Sequence, residues 1–198
     1  MLDYTELFDA HQAQLGKAAD RFTDQDKAFA RHLRLAGRRI DARWPRLQRG
    51  TLTLTAGEAY YLAPVDCSAI IHHDWGRFYP KTPWDETGPG VRPLIQLLDD
   101  SGTLKIWLTP APTALQIQCW GAEMIYHYHA PHLIIATQVT ADEALRARVL
   151  LAALIEALRD ISTETAVVQL QRGLAGIPTA GTPAYLYEAA LREWGAGI

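Results

Sequence analysis

The sequence is poor in the features that mark most enzymes, secreted modules and membrane proteins. It has two cysteines, Cys67 and Cys119, far apart and without a CxxC spacing, which excludes a disulfide framework, a zinc knuckle and a redox pair. No stretch reaches 18 apolar residues, so no membrane span is expected. The opening MLDYTELFDAHQ is acidic and lacks the basic n-region and apolar run of a secretory signal, and a soluble, intracellularly made protein is the expectation. GxSxG, GxxxxGK[ST], HExxH and a GxGxxG following a strand are all missing. Both cysteines fall in segments expected to be strands, where they read as small buried side chains rather than nucleophiles. Asp66, Asp74, Asp99 and Asp100 read as turn residues rather than a paired acid and base. No catalytic residue, no cofactor and no enzymatic activity are expected.

What the chain does have is length and apolar content enough for a core without staples: 198 residues, 48% of them hydrophobic. Its net charge of −3 is unevenly spread. Residues 1–26 hold two basic and six acidic side chains, residues 27–49 hold eight basic groups against Asp41 alone, and the remainder holds nine basic and fifteen acidic. A strongly basic helix is thus joined to acidic flanks, a dipolar pattern suited to assembly.

Two helices are expected first. Asp3-x-x-Glu6 is a capping-box signature before Leu7, Phe8, His11 and Leu15. Thr23-x-x-Asp26 opens a second helix, with Phe29, Leu33, Ala36, Ile40 and Trp44 on one face and Arg31, Arg34 and Arg38 opposite. Arg39 and Arg43 flank the apolar edge, and Pro45 is expected to stop the helix. The period changes to two from Thr51. Strands are expected at 51–55, 60–62, 67–72, 94–98, 104–108, 115–120, 124–129 and 133–139, with Asp99–Gly102 as a hairpin turn. The Pro- and Gly-rich segment 76–93 reads as a long surface loop. Thr140-x-x-Glu143 is expected to cap a leucine-rich helix, and Pro183 behind Thr182 to begin a last one, ended by Gly195. The fold class is α+β: one domain, 1–198, with a helical frame from 1–49 and 140–198 and an inserted antiparallel sandwich- or barrel-like β-lobe over 50–139.

Three constellations are candidates for function. His127 and His129 share a strand face and, with His132 just beyond, can offer imidazoles to one metal ion, with His72, His73 and Asp74 arriving from a neighbouring strand. The alternative is a half-exposed strand of polar and aromatic side chains, and no metal is assigned. Arg31, Arg34, Arg38, Arg39 and Arg43 can meet phosphates, forming a nucleic-acid interface. They can equally meet an acidic protein surface, the reading favoured by the acidic remainder of the chain and by the lack of a helix-turn-helix or RNA-binding signature. The leucine face, with Leu150, Leu151, Leu154 and Leu158, requires cover from the chain itself or from a neighbour. Trp75, Tyr79, Trp84, Tyr185, Tyr187 and Trp194 lie where interface anchors are common.

RRIDARWPRLQ runs into GTLTLTAGEAYYLAPVD, followed by TLKIWLTPAPTALQIQCWG, MIYHYHAPH and ADEALRARVLLAALIEALRD. This order of segments is similar to that of the head-to-tail adaptor (connector, tail-tube-base) proteins of tailed bacteriophages and prophages. The resemblance covers roughly residues 25 to 194 and rests on strand ends and turns. The chain departs from it at Tyr61-Leu62-Ala63-Pro64, which has an extra residue before the proline, and in the loop 76–93. The resemblance implies a non-enzymatic virion protein at the head-tail junction, present in the host cytoplasm during assembly. It further implies a homo-oligomeric ring, often twelvefold in such proteins, beneath the portal protein. That ring extends or seals the DNA channel, docks a tail or nozzle protein and touches passing DNA without reading sequence. Terminal segments of such adaptors often order only on docking, and the glycine- and threonine-containing loop near Ala180 would permit that.

Overall fold

A computed structural model describes residues 2–78, 88–171 and 182–196, with side chains omitted at 164–171. Among these residues the chain forms five α-helices and antiparallel sheets, an α+β fold without a closed barrel. It divides into two compact units, a helical one made of residues 1–44 and 132–198 and a β unit made of residues 45–131.

In the helical unit, α1 (Tyr4–Leu15) is capped by the Asp3 carboxylate, which accepts the Glu6 N–H at 3.1 Å. The cap of α2 (Gln25–Asp41) is Asp24, one residue after the expected Thr23; its carboxylate accepts the Lys27 N–H at 3.2 Å. This helix ends at Asp41, ahead of Pro45, because the residues before a proline are pushed out of the α region. The N–H groups of Arg43 and Trp44 fold back onto the Ile40 carbonyl.

The expected strand 133–139 is instead a small hairpin, β7 (Ile134–Ile135) with β8 (Gln138–Val139), and it belongs to the helical unit. Thr140 does not cap the next helix. Its hydroxyl oxygen accepts the Leu133 N–H at 2.8 Å and closes this hairpin, while Asp142 caps a 3₁₀ turn over Glu143–Leu145. Then α4 (Arg146–Gln171) begins. The last helix, α5 (Pro183–Ala196), starts as expected, with the Thr182 hydroxyl accepting the Tyr185 N–H, and continues through Gly195 rather than ending there.

The core of this unit is the wide apolar surface of α4. Val149, Ala152, Ala153, Ile155 and Ala157 have no solvent exposure. They are covered by Leu7 of α1, by Phe29, Leu33, Ala36 and Ile40 of α2, and on another side by Tyr187, Ala190 and Leu191 of α5. Full burial of each large aliphatic side chain is worth about 1.5–3 kcal/mol. Small residues let the backbones close in: a Cβ on Gly37 of α2 would meet the His132 carbonyl oxygen at 2.8 Å.

The β unit is two three-stranded antiparallel sheets, β1–β6–β3 and β2–β5–β4. The first comprises β1 (Arg46–Thr53), β6 (Glu123–Ala130) and β3 (Ala69–His73); the second comprises β2 (Tyr60–Leu62), β5 (Thr103–Thr109) and β4 (Leu94–Asp100). Strand β1 starts five residues before the period change seen in the sequence. Alternation sends Met124, Tyr126, Tyr128 and Ala130 of β6 inward, against Ile106 and Leu108 of β5. Gly50 of β1 pairs with Tyr126, whose ring lies where a Cβ would sit, within 2.3 Å. The β4–β5 turn is the expected one, Ser101 and Gly102 both having positive φ (54° and 85°) as a two-residue type I′ hairpin requires.

One expected strand is a helix. Residues Ala114–Trp120 form α3, because Thr113-x-x-Gln116 is a complete capping box: the Thr113 hydroxyl takes the Gln116 N–H at 3.1 Å, and the Gln116 amide oxygen takes the Thr113 N–H at 2.9 Å. That local signal outweighs the β-rich composition. Cys119 is therefore helical. Cys67 is buried in the turn before β3, and burial raises its thiol above the usual range, consistent with an inert side chain.

Candidate functional site

The arginines of α2 and of the turn that follows it divide into two groups. Three act inside the helical unit. Arg39 brings Nε and an Nη to the Glu156 Oε1 of α4, at 3.0 and 2.5 Å, and Arg159 approaches the other oxygen of this buried carboxylate at 2.7 Å. Arg31 pairs with Asp160, and Arg43 donates to the Trp194 carbonyl of α5. Arg34 and Arg38 are exposed and have no ion pair among the described residues. The cationic surface expected from sequence is thus largely a seam to α4 and α5, and the guanidinium groups of Arg34 and Arg38 are left exposed.

Beneath that seam lies a polar chain of which sequence reasoning placed only His11, as helix spacing, and did not single out His32. His11 of α1 and His32 of α2 are fully buried, with His11 Nε2 at 3.2 Å from His32 Nδ1 and His32 Nε2 at 2.9 Å from Asp160. With the Asp160 oxygen as acceptor, the tautomers follow: His32 donates from Nε2 to Asp160 and accepts on Nδ1 from His11 Nε2–H. Burial, reinforced by the nearby His32, pushes His11 down to about 4. Burial also lowers His32, with the Asp160 hydrogen bond pulling in the opposite direction.

The leucines for which cover was expected from the chain itself or from a neighbour are mostly covered within the chain. Leu151 and Leu158 are buried, and Leu150 and Leu154 pack at the margins of the same cores. Trp194 meets the Trp44 ring edge-on at 5.3 Å, and the Arg148 guanidinium lies 4.3 Å over Trp44. Tyr187 packs on α4, while Tyr185 and Leu186 remain exposed. Trp75 is a core residue, its indole N–H donating to the Gly121 carbonyl at 2.8 Å. Tyr79, Trp84 and the loop near Ala180 lie outside the described residues. At the described ends of the 76–93 loop, Arg92 ties down the His73 and Trp75 carbonyls at 2.7 and 3.0 Å.

The three histidines of MIYHYHAPH do not form one site. His127 and His129 do share the outer face of β6, as alternation requires, but His132 belongs to the helical unit. There its N–H is bound by the Asp41 carboxylate at 2.7 Å, and its Nε2–H donates to the Trp44 carbonyl at 3.0 Å, closing the corner after α2. His73 faces inward, donating from Nε2 to the Pro93 carbonyl at 2.8 Å, and burial lowers its pKa. The residues that do gather are His72, Asp74 and His127, with potential ligand atoms all within 4.8 Å of one another.

The second sheet presents an apolar outer face that sequence reasoning did not single out. Tyr60 stacks on Trp107 at 6.2 Å, and Leu62, Leu94 and Leu98 stand exposed on the alternate positions of β2 and β4. The signal lay in the nearly continuous apolar runs 60–62 and 94–98, which put apolar side chains on both faces, Gln96 being the one polar residue on the outer face.

Helical frame, interposed β unit and leucine-rich α4 follow one another in the order that the phage adaptor resemblance implies. The family model for the SU10 adaptor protein matches residues 2–192, and the chain belongs to that family of adaptors. No curated protein matches the chain. A structural phage adaptor is the class that this membership supports, and among the described residues no helix is long and apolar enough to cross a membrane.

Proposed function

We propose that the chain is a non-enzymatic virion adaptor that closes into a homo-oligomeric ring beneath the portal protein, extends or seals the DNA channel, and receives a tail or nozzle protein. The observation that carries this reading is the family match over residues 2–192. Ring closure needs two unlike, complementary patches on each copy. Arg34 and Arg38 supply one. Asp9 and Asp20, exposed and without an ion pair among the described residues, supply acidic groups for the other. The occupant of the Arg34/Arg38 face is therefore a second copy of this chain, with DNA touched only as passing phosphates.

Electron microscopy of the chain mixed with its portal ring tests the reading, with an added ring of density below the portal as the expected result. Replacing Arg34→Glu and Arg38→Glu together is expected to abolish that ring while leaving the unfolding free energy within about 0.5 kcal/mol of the parent. Adding Asp9→Arg and Asp20→Arg to the same chain is expected to restore assembly. Rings that persist unchanged in the double reversal would remove this patch from the interface. A low-salt DNA shift lost in the same variant, with assembly intact, would instead support the nucleic-acid role of the helix.

A further inference from the structure

We propose that His72, Asp74 and His127 form a binding site for a zinc-class divalent cation on the outer face of the β1–β6–β3 sheet. The site depends on a β-bulge. Ile70 pairs with Tyr128 and His73 with Tyr126, but His72 pairs with His127, so the register shifts between Ile70 and His72. An unbroken ladder would set Ile71 beside His127 and turn His72 inward towards the Tyr126 position. The extra residue exchanges the two faces, as any one-residue slip must. It brings His72 onto the outer face, where its ring stacks on His127 with centroids 4.6 Å apart, and sends His73 into the core.

The next residue completes the set. The Asp74 N–H bonds to the Ile125 carbonyl at 3.1 Å, which fixes the strand end and brings the Asp74 carboxylate within 4.8 Å of both imidazoles. A second observation points to a ligand: His127 Nδ1 is buried and has no hydrogen-bond partner. Two imidazole nitrogens and one carboxylate oxygen, with a position left for water, suit zinc and its neighbours in the first transition row. Bonds of about 2.0–2.1 Å require the ligand atoms to close to about 3.3 Å, which side-chain rotation at this surface provides. Arg77 holds one Asp74 oxygen, Oδ1, at 3.0 Å and leaves Oδ2 for the metal. Arg49 pairs across β1 with His127 and opposes a dication, so the Asp74 charge is essential to binding. His129, although on the same face, pairs with Ala69 and Leu47 and stands outside the set. The bound ion would clip β3 to β6 across the bulge, a structural role independent of ring formation.

The test uses the full chain without a histidine tag, stripped with chelator and titrated with zinc chloride by calorimetry. One equivalent is expected to bind and to raise Tm by roughly 5 °C at saturation. His72→Gln and His127→Gln are each expected to weaken binding by at least about tenfold, whereas His129→Gln leaves it unchanged. Absence of a saturable equivalent, or an equal loss in His129→Gln, overturns the site. If the His127 variant does not fold, imidazole ¹⁵N shifts in the parent chain decide: changes at His72 and His127 support the site, and changes only at other histidines overturn it.

Discussion

Replacing Arg39 with methionine lowers the unfolding free energy by about 3 kcal/mol. Glu156 is 4% exposed, and its Oε1 receives both contacts from Arg39, leaving Arg159 to approach only the other oxygen. Truncating Arg39 leaves Oε1 of this buried carboxylate unpaired and Arg159 as its one cationic partner, so its desolvation is much less fully offset. The effect is read as a shift in the urea midpoint at unchanged m. Two comparisons separate this seam from simple loss of a surface charge. Arg34→Met, on the exposed side of the same helix, is expected to change stability by no more than about 0.5 kcal/mol. The double variant Arg39→Met/Glu156→Met is expected to recover most of the loss, since an apolar pair of similar volume can replace a buried ion pair. An Arg39→Met cost below about 1 kcal/mol would show that Glu156 is solvated in solution and that the α2–α4 seam is looser than described.

Acidification weakens the helical unit through His11 and His32. Both have folded-state pKa values below that of an exposed histidine, His11 at about 4 against 6.5. The unfolded chain therefore binds protons first. The contribution is complete above about pH 6.5, is lost as pH falls through the window towards 4, and then levels off, with His11 alone accounting for about 3 kcal/mol. The groups facing the pair are Phe22 and Phe29 as ring contacts, Asp160 as acceptor, and the charges of Arg31 and Glu156. Protonating His32 at Nδ1 also removes the acceptor on which His11 depends. Urea unfolding at pH 7.5, 6, 5 and 4.5 measures the slope. His11→Phe is expected to flatten it, leaving the smaller contributions of His32 and, in the β unit, His73. An identical slope in that variant would show that His11 is not the buried neutral group.

Sequence periodicity located the elements whose partners are local. Asp3 and the Phe29–Ile40 stripe define α1 and α2 because caps and helical faces are set within a few residues. The same reasoning missed α3, where composition favoured a strand and the reciprocal Thr113–Gln116 bonds decided otherwise. Long-range pairing was much less legible. Alternation correctly put His127 and His129 on one face, yet the residue that joins His127 is His72, delivered by a bulge that no local pattern announces. The apolar stripe of α4 was readable from spacing, but which elements cover it was not: within the chain, α1, α2 and α5 supply that cover. Likewise, nothing in the spacing of the arginines separates Arg39, committed to Glu156, from Arg38 beside it, which faces solvent.

Native mass measurement of the purified chain, alone and mixed with its portal ring, addresses the adaptor reading most directly. A discrete closed multimer, or a saturable stoichiometric complex on the portal, is the expected result, and it should disappear with Arg34→Glu/Arg38→Glu. A chain that stays monomeric at high concentration and leaves the mass of the portal ring unchanged would contradict it.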